Sequence, residues 1–235
     1  MHKKFEALII CCLFISSFFL ARAGAAYVSA KTTGKLSGCI VLDAGHGGSD
    51  PGKVGCNDVL EKNINLAIVY KLKTLFENKG FEVVLTRTDD KPLASDNSKN
   101  MKIEDMRNRV ALITETMPLM TISIHQNSFP DSSISGPQVF FYDQSPEGEA
   151  IAATLQDTLN ALMDPPKPRM SKSNNDYYIL KKTPTPTVIV ECGFLSNEKE
   201  AADLTTEAYQ EKLARAIYTG TCEYLTNLSA PESTE

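Results

Sequence analysis

Two histidines and two glutamates stand where hydrolytic chemistry could be done. Only three histidines occur in the chain, and His2 lies in the N-terminal segment. The other two each end an apolar run: His46 follows Ile40-Val41-Leu42-Asp43-Ala44-Gly45, and His125 follows Thr121-Ile122-Ser123-Ile124. Glu191 directly follows Val188-Ile189-Val190, and Glu61 opens an amphipathic stretch after a glycine-rich loop. Two imidazoles and a carboxylate form a common ligand set for catalytic zinc, with water in the open fourth place. The metal makes that water acidic, and a further carboxylate must take its proton and deliver it to the leaving group. His46, Glu61 and His125 are the candidate ligands and Glu191 the candidate base, although spacing alone does not divide the roles between the two glutamates. Each residue also has a plainer reading. A strand-end histidine is more often hydrogen-bonded structure, and a glutamate at a helix start is favoured by the helix dipole. A carboxylate ending a doubly buried strand is harder to dismiss, because it needs a partner or a task. Asp43 either orients a ligand or caps the turn, and the turn is the simpler reading. The loop from Gly45 to Gly55 lacks the Lys-Ser/Thr of a phosphate-binding P-loop and the GxGxxG spacing.

The elements that must position these residues alternate between strand and helix patterns. Strands are expected over 38–42, 81–86, 119–124, 138–142, 177–180 and 187–190. Helices are expected over 61–79, stopped by Gly80, and over 103–116, 147–163 and 206–225. Residues 164–176, with three prolines, read as a loop. This order predicts one α/β domain around a largely parallel sheet. The apolar triplet Val188-Ile189-Val190 suits a strand covered on both faces. In such sheets the carboxyl ends of strands line the ligand crevice, where both histidines and Glu191 fall.

The 235 residues suffice for one ample domain, and 42% apolar with 23% charged residues is ordinary for a globular protein. A net charge of -5 offers no basic field for nucleic acid or anionic lipid. His2, Lys3 and Lys4 followed by an apolar run from Ala7 to Ala21 and small residues to Ala26 read as an export signal over 1–25, either cleaved or retained as an anchor. The run is shorter than the roughly 20 residues of a spanning helix. A linker over 26–36, a catalytic domain over 37–228 and an acidic tail over 229–235 complete the expected organisation. Cys39, Cys56, Cys192 and Cys222 follow the signal without a CxxC, which argues against a cysteine metal site, and Cys39 and Cys192 read as core residues.

Four motifs in order carry a family resemblance. Leu42-Asp43-Ala44-Gly45-His46-Gly47-Gly48 with Asp50-Pro51-Gly52, Glu61-Lys62-Asn63-Ile64-Asn65-Leu66, Ser123-Ile124-His125-Gln126-Asn127-Ser128, and Val190-Glu191-Cys192-Gly193-Phe194-Leu195-Ser196-Asn197 together resemble the zinc-dependent N-acetylmuramoyl-L-alanine amidases of the third amidase family. Leu85-Thr86-Arg87 and Arg109 also fit, and the match spans about residues 38–226. The resemblance implies a twisted, mostly parallel six-stranded sheet flanked by helices, Zn2+ held by His46, Glu61 and His125, and Glu191 as general base. It implies cleavage of the amide between the muramic acid lactyl group and L-alanine of peptidoglycan, outside the cytoplasm, in cell wall or spore cortex. Ala44 stands where a proline is frequent, and Arg169-Met170-Ser171-Lys172 lacks the family's usual glycine. The segment between His125 and Glu191 is short for an inhibitory insert. An export signal with a bare catalytic domain is similar to the sporulation and germination members, which prepare cortex for muramic lactam formation. Such a layout is compatible with an activating or recruiting protein partner. Two rivals stand beside this reading: a zinc carboxypeptidase, for which Arg87, Arg109 and Arg169 could supply a carboxylate pocket, and a non-catalytic wall-binding protein.

Overall fold

The computed structural model describes residues 38–229. The expected signal, the linker and the tail beyond Ser229 lie outside the described residues. Among the described residues, six strands and six α-helices form a single α/β domain. The strands are β1 (Cys39–Ala44), β2 (Glu82–Leu85), β3 (Met120–Asn127), β4 (Gln138–Phe141), β5 (Lys172–Ser173) and β6 (Thr187–Phe194). The helices are α1 (Glu61–Lys79), α2 (Met101–Thr116), α3 (Pro146–Met163), α4 (Tyr178–Lys182), α5 (Glu198–Leu204) and α6 (Glu207–Ser229). Sheet order is β2-β1-β3-β6-β4-β5. Every pairing is parallel except that of β4 with β6. None of the described helices is long and apolar enough to cross a membrane.

Strand alternation divides the core in two. Ile40, Leu42, Ile122, Ile124, Val188 and Val190 face one side, packed with Ile68 and Leu72 of α1, Leu155 of α3 and Leu213 of α6. Val41 and Ile189 face the other, with Ile113 of α2 and Ile179 and Leu180 of α4. Because both faces are covered, the central strands are nearly continuous apolar runs. The chain leaves β1 through α1 to reach β2 on one side, then returns through α2 to β3 on the other. The carboxyl ends of β1 and β3 therefore flank the point where strand order reverses, the usual ligand crevice of open α/β sheets.

Two sequence-based expectations change and one helix is added. Tyr177–Leu180 is not a strand: the Asn174 side chain accepts from the Asp176 and Tyr177 amides, at 2.8 and 2.9 Å, and this turn starts α4. Its aromatic and apolar residues suited a strand, but only Ile179 and Leu180 are buried, as one turn of helix lying on the sheet. The fifth strand is instead Lys172–Ser173, inside the expected loop, a two-residue edge too short to leave a periodicity. The helix expected over 206–225 is present as α6, and a short helix that was not expected, α5, precedes it, capped by the Asn197 side chain, which accepts from the Glu200 amide. The four cysteines among the described residues are free thiols; Cys192 is buried, while Cys39 is only half-buried at the start of β1.

Candidate metal centre

Backbone geometry at the end of β1 sets the first candidate ligand. Parallel pairing with β3 continues to Ala44 opposite Ile124, and then the chain turns, with His46 in the left-handed region at φ 64°. That conformation is uncommon for a residue with a Cβ. It is held from beneath by Arg109, whose guanidinium donates to the carbonyls of Ala44 at 2.8 Å and His46 at 2.6 Å. Arg109 is fully buried, and its charge is met by Asp43 at 2.6 Å and Asp105 at 2.7 Å. Asp43 also accepts from the Thr86 and Ser123 hydroxyls. Burial would raise the Asp43 carboxyl, but Arg109 and these hydroxyls bring it down to about 2. Asp43 thus neither touches a candidate ligand nor caps the turn; it anchors the arginine that shapes the turn.

The second and third candidate ligands come from α1 and β3. Glu61 is buried at the first position of α1, where the helix dipole favours a carboxylate. One of its oxygens lies 2.9 Å from His125 Nδ1 and 3.2 Å from His46 Nε2, and the two imidazole rings meet edge to face at 4.9 Å. The candidate ligand atoms of His46, Glu61 and His125 lie within 4.8 Å of one another. Asp50 binds the remaining nitrogen of His46, Nδ1, at 2.9 Å and so leaves Nε2 turned to the centre. Glu61 is fixed by the Lys53 and Gln126 amides, at 2.8 and 3.0 Å, and by the Asn65 side chain at 3.3 Å. The sequence reading missed Asp50 and Asn65, although each lies four residues after the ligand it supports.

The fourth residue belongs to the same face. Glu191 pairs in register with His125 across β3 and β6, so their side chains leave the sheet together. It is 7% exposed, and its Oε2 is buried with no hydrogen-bond partner. Burial raises the Glu191 carboxyl to about 7, with the His125 imidazole opposing the rise and the Glu61 carboxylate adding to it. The structure therefore brings all four candidate residues together. Beside them a cavity of about 170 Å³ opens between His46, His125 and the Met101 and Met106 side chains.

The donors fit a divalent cation. Two nitrogens and a carboxylate oxygen converge, and an unpartnered carboxylate stands next to them. Although burial opposes both charges, contact with the imidazoles keeps the Glu61 carboxyl well below its ordinary range, and contact with Glu61 lifts His125 above its own. A place that draws a proton so strongly onto an imidazole favours positive charge, and a metal ion competes with that proton for the same nitrogen.

The three arginines do not form a carboxylate pocket. Arg87 is buried and donates to the carbonyls of Ala44, Gly45, Lys62 and Asp89. Arg109 is committed as above, and Arg169 donates to the Ser135 carbonyl and Gln138 while lying over the Phe194 ring.

Comparison with known proteins agrees with this site. The family model for N-acetylmuramoyl-L-alanine amidase matches residues 40–223. The chain is 37% identical over 200 residues to the germination-specific N-acetylmuramoyl-L-alanine amidase of Bacillus subtilis (strain 168), covering 83% of this chain and 84% of that one. It is 30% identical to the N-acetylmuramoyl-L-alanine amidase LytC of the same organism over 84% of this chain but only 38% of that longer protein. Among solved structures it is similar to the CwlD amidase from Clostridioides difficile in complex with the GerS lipoprotein, with TM-score 0.78 and 40% identity over 81% of this chain and 99% of that chain. The topology, the converging His-Glu-His group and these matches agree: the chain belongs to the N-acetylmuramoyl-L-alanine amidases, hydrolases that act on peptidoglycan.

Proposed function

We propose that His46, Glu61 and His125 hold a zinc ion and that Glu191 is the acid–base group of amide hydrolysis. The observation that carries this is the meeting of three donor atoms within 4.8 Å, with Glu191 paired in register to one of the ligands. Bound there, zinc supplies a Lewis acid and an acidic water. The protein's own part is proton transfer and positioning. Glu191 takes a proton from the attacking water as the oxygen adds to the lactyl carbonyl carbon. It returns that proton to the L-alanine nitrogen as the C–N bond breaks. The products are a muramic acid lactyl carboxylate and a peptide whose freed amino end takes up the second proton of the water as an ammonium. A carboxyl placed near pH 7 by burial suits both halves of that cycle.

The finer reading is an extracytoplasmic enzyme of the spore cortex, whose cleavage prepares muramic acid for lactam formation, working with a protein partner. It is supported by the expected export signal, by the germination-specific relative matched along most of both chains, and by the solved CwlD–GerS complex. Mass analysis of muropeptides from cortex and from vegetative wall tests it. Digests should contain peptides beginning with L-alanine and glycan without peptide, and a chelator should remove both. Peptides shortened from the carboxyl end would overturn the amidase reading, equal rates on both walls the cortex reading, and full turnover by the purified chain alone the partner.

Gly52 provides a test of the ligand assignment. Its φ is +70°, and a Cβ there would stand 2.5 Å from Glu61 Oε2 and 2.7 Å from His46 Cδ2. Gly52→Ala should weaken zinc binding by about 10- to 100-fold, the usual effect of disturbing groups that support ligands. Competition against a chromophoric chelator measures this, with circular dichroism to show an intact fold. Unchanged affinity would place the metal elsewhere.

A further inference from the structure

The start of α4 puts one more group at the reacting centre. We infer that Tyr177 touches the substrate, its phenolic hydroxyl donating a hydrogen bond to the carbonyl oxygen of the scissile amide as that oxygen gains negative charge. The inference rests on the amidase reading with Glu191 as base.

Its ground is the way the chain holds this ring. Gln138 pairs with Glu191 and Phe140 with Ile189 across β4 and β6, so Phe140 and Glu191 leave the sheet on one face, two residues apart in register. The Tyr177 ring lies edge to face on Phe140, with centroids 5.7 Å apart. Its backbone is fixed from both directions: the amide donates to Asn174 Oδ1, and the carbonyl accepts from Lys181 at 3.2 Å. Buried Ile179 and Leu180 anchor the turn that follows. Tyr177 is therefore held on a rigid support on the sheet face that carries Glu191, and it remains 36% exposed.

The hydroxyl is uncommitted. Partial burial and then the charges of Glu191 and Glu61 push the phenol up to about 12, so both carboxylates act on this one group. Yet the hydroxyl donates to neither of them, nor to any other described residue, and Glu191 Oε2 is likewise unpaired. A tyrosine serving only to hold the base would be bonded to it. A phenol on a stiff support, on the same sheet face as the acid–base carboxylate and with no partner of its own, is a preorganised donor. Donors aimed at developing negative charge act mainly in the transition state.

The test uses the zinc-loaded enzyme on peptidoglycan fragments, comparing Tyr177→Phe with Tyr178→Phe as the neighbouring control and Glu191→Gln in parallel. Phe keeps the stack on Phe140, so melting temperature and bound zinc should match the parent. Tyr177→Phe should lower kcat by about 10²- to 10³-fold with KM little changed, as expected for loss of a single oxyanion donor. A kcat within about twofold of the parent, or a change confined to KM, would overturn the inference. So would an equal fall in Tyr178→Phe, or a fall matched by lost zinc. If Glu191→Gln is inactive while Tyr177→Phe is fully active, only the tyrosine's role is lost; if Glu191→Gln also turns over normally, the base assignment itself has failed.

Discussion

Replacing Glu191 by Gln should reduce turnover by about 10²- to 10⁴-fold, the usual contribution of a positioned acid–base group, while zinc stays bound. Gln preserves the size of a side chain that is 7% exposed. It removes no ligand, because the three converging donor atoms belong to His46, Glu61 and His125. It also introduces no charge into a side chain that burial already disfavours in its charged form. The fold should therefore be unaffected or slightly firmer, and the loss should fall on kcat, because no proton acceptor remains for the attacking water. Metal analysis beside rates of peptide release measures both quantities. Retained turnover in a protein with full zinc would remove Glu191 from the mechanism. Loss of zinc together with activity would make it a ligand instead.

Arg109→Met should be the most destabilising single change near the site, by about 3–5 kcal/mol, because removing one partner of a buried pair leaves the other charge uncompensated. Asp43 is 2% exposed and would keep only the Thr86 and Ser123 hydroxyls. A loss of that size should lower the melting temperature by roughly 10 °C or more in a domain of this length. Adding Asp43→Leu should restore part of it, since an apolar pair can replace a buried ion pair and coupled residues are not additive. Equal melting temperatures for parent and Arg109→Met would contradict this account. Acid unfolding reads the same pair. The folded Asp43 carboxyl titrates at about 2, below its ordinary 3.8, so its contribution is complete above about pH 4 and is lost as pH falls toward 2. In the double variant that component of the acid transition should be absent. Because Arg109 also binds the carbonyl of His46, the single variant should lose zinc affinity along with stability.

Much of the site was visible before any fold was known. A chain with so few histidines places two of them after apolar strands, and strand ends in an open α/β sheet converge whatever the surrounding detail. Glu191 was legible for a related reason: a carboxylate directly after a doubly buried strand is costly without a function. The helix of residues 61–79 was equally clear, with its apolar stripe and its left-handed glycine stop at Gly80. Local pattern failed where a short segment takes its conformation from its surroundings. Tyr177–Leu180 has the composition of a strand but follows a turn closed by the Asn174 side chain and runs into a short helix. Lys172–Ser173 is a strand only because β4 lies beside it. Arg87, Arg109 and Arg169 looked free to bind a carboxylate, and each is instead consumed by the protein's own oxygens.

Residue types and their order determined that this protein carries an α/β sheet, which strands end in imidazoles, and where an acid would stand among them, because those features are set by side-chain periodicity within single elements. Which groups complete the centre was decided only when distant segments met. Asp43 with Arg109, Asp50 behind His46, and Tyr177 over Phe140 are pairings between surfaces, and nothing local to either partner specifies the other.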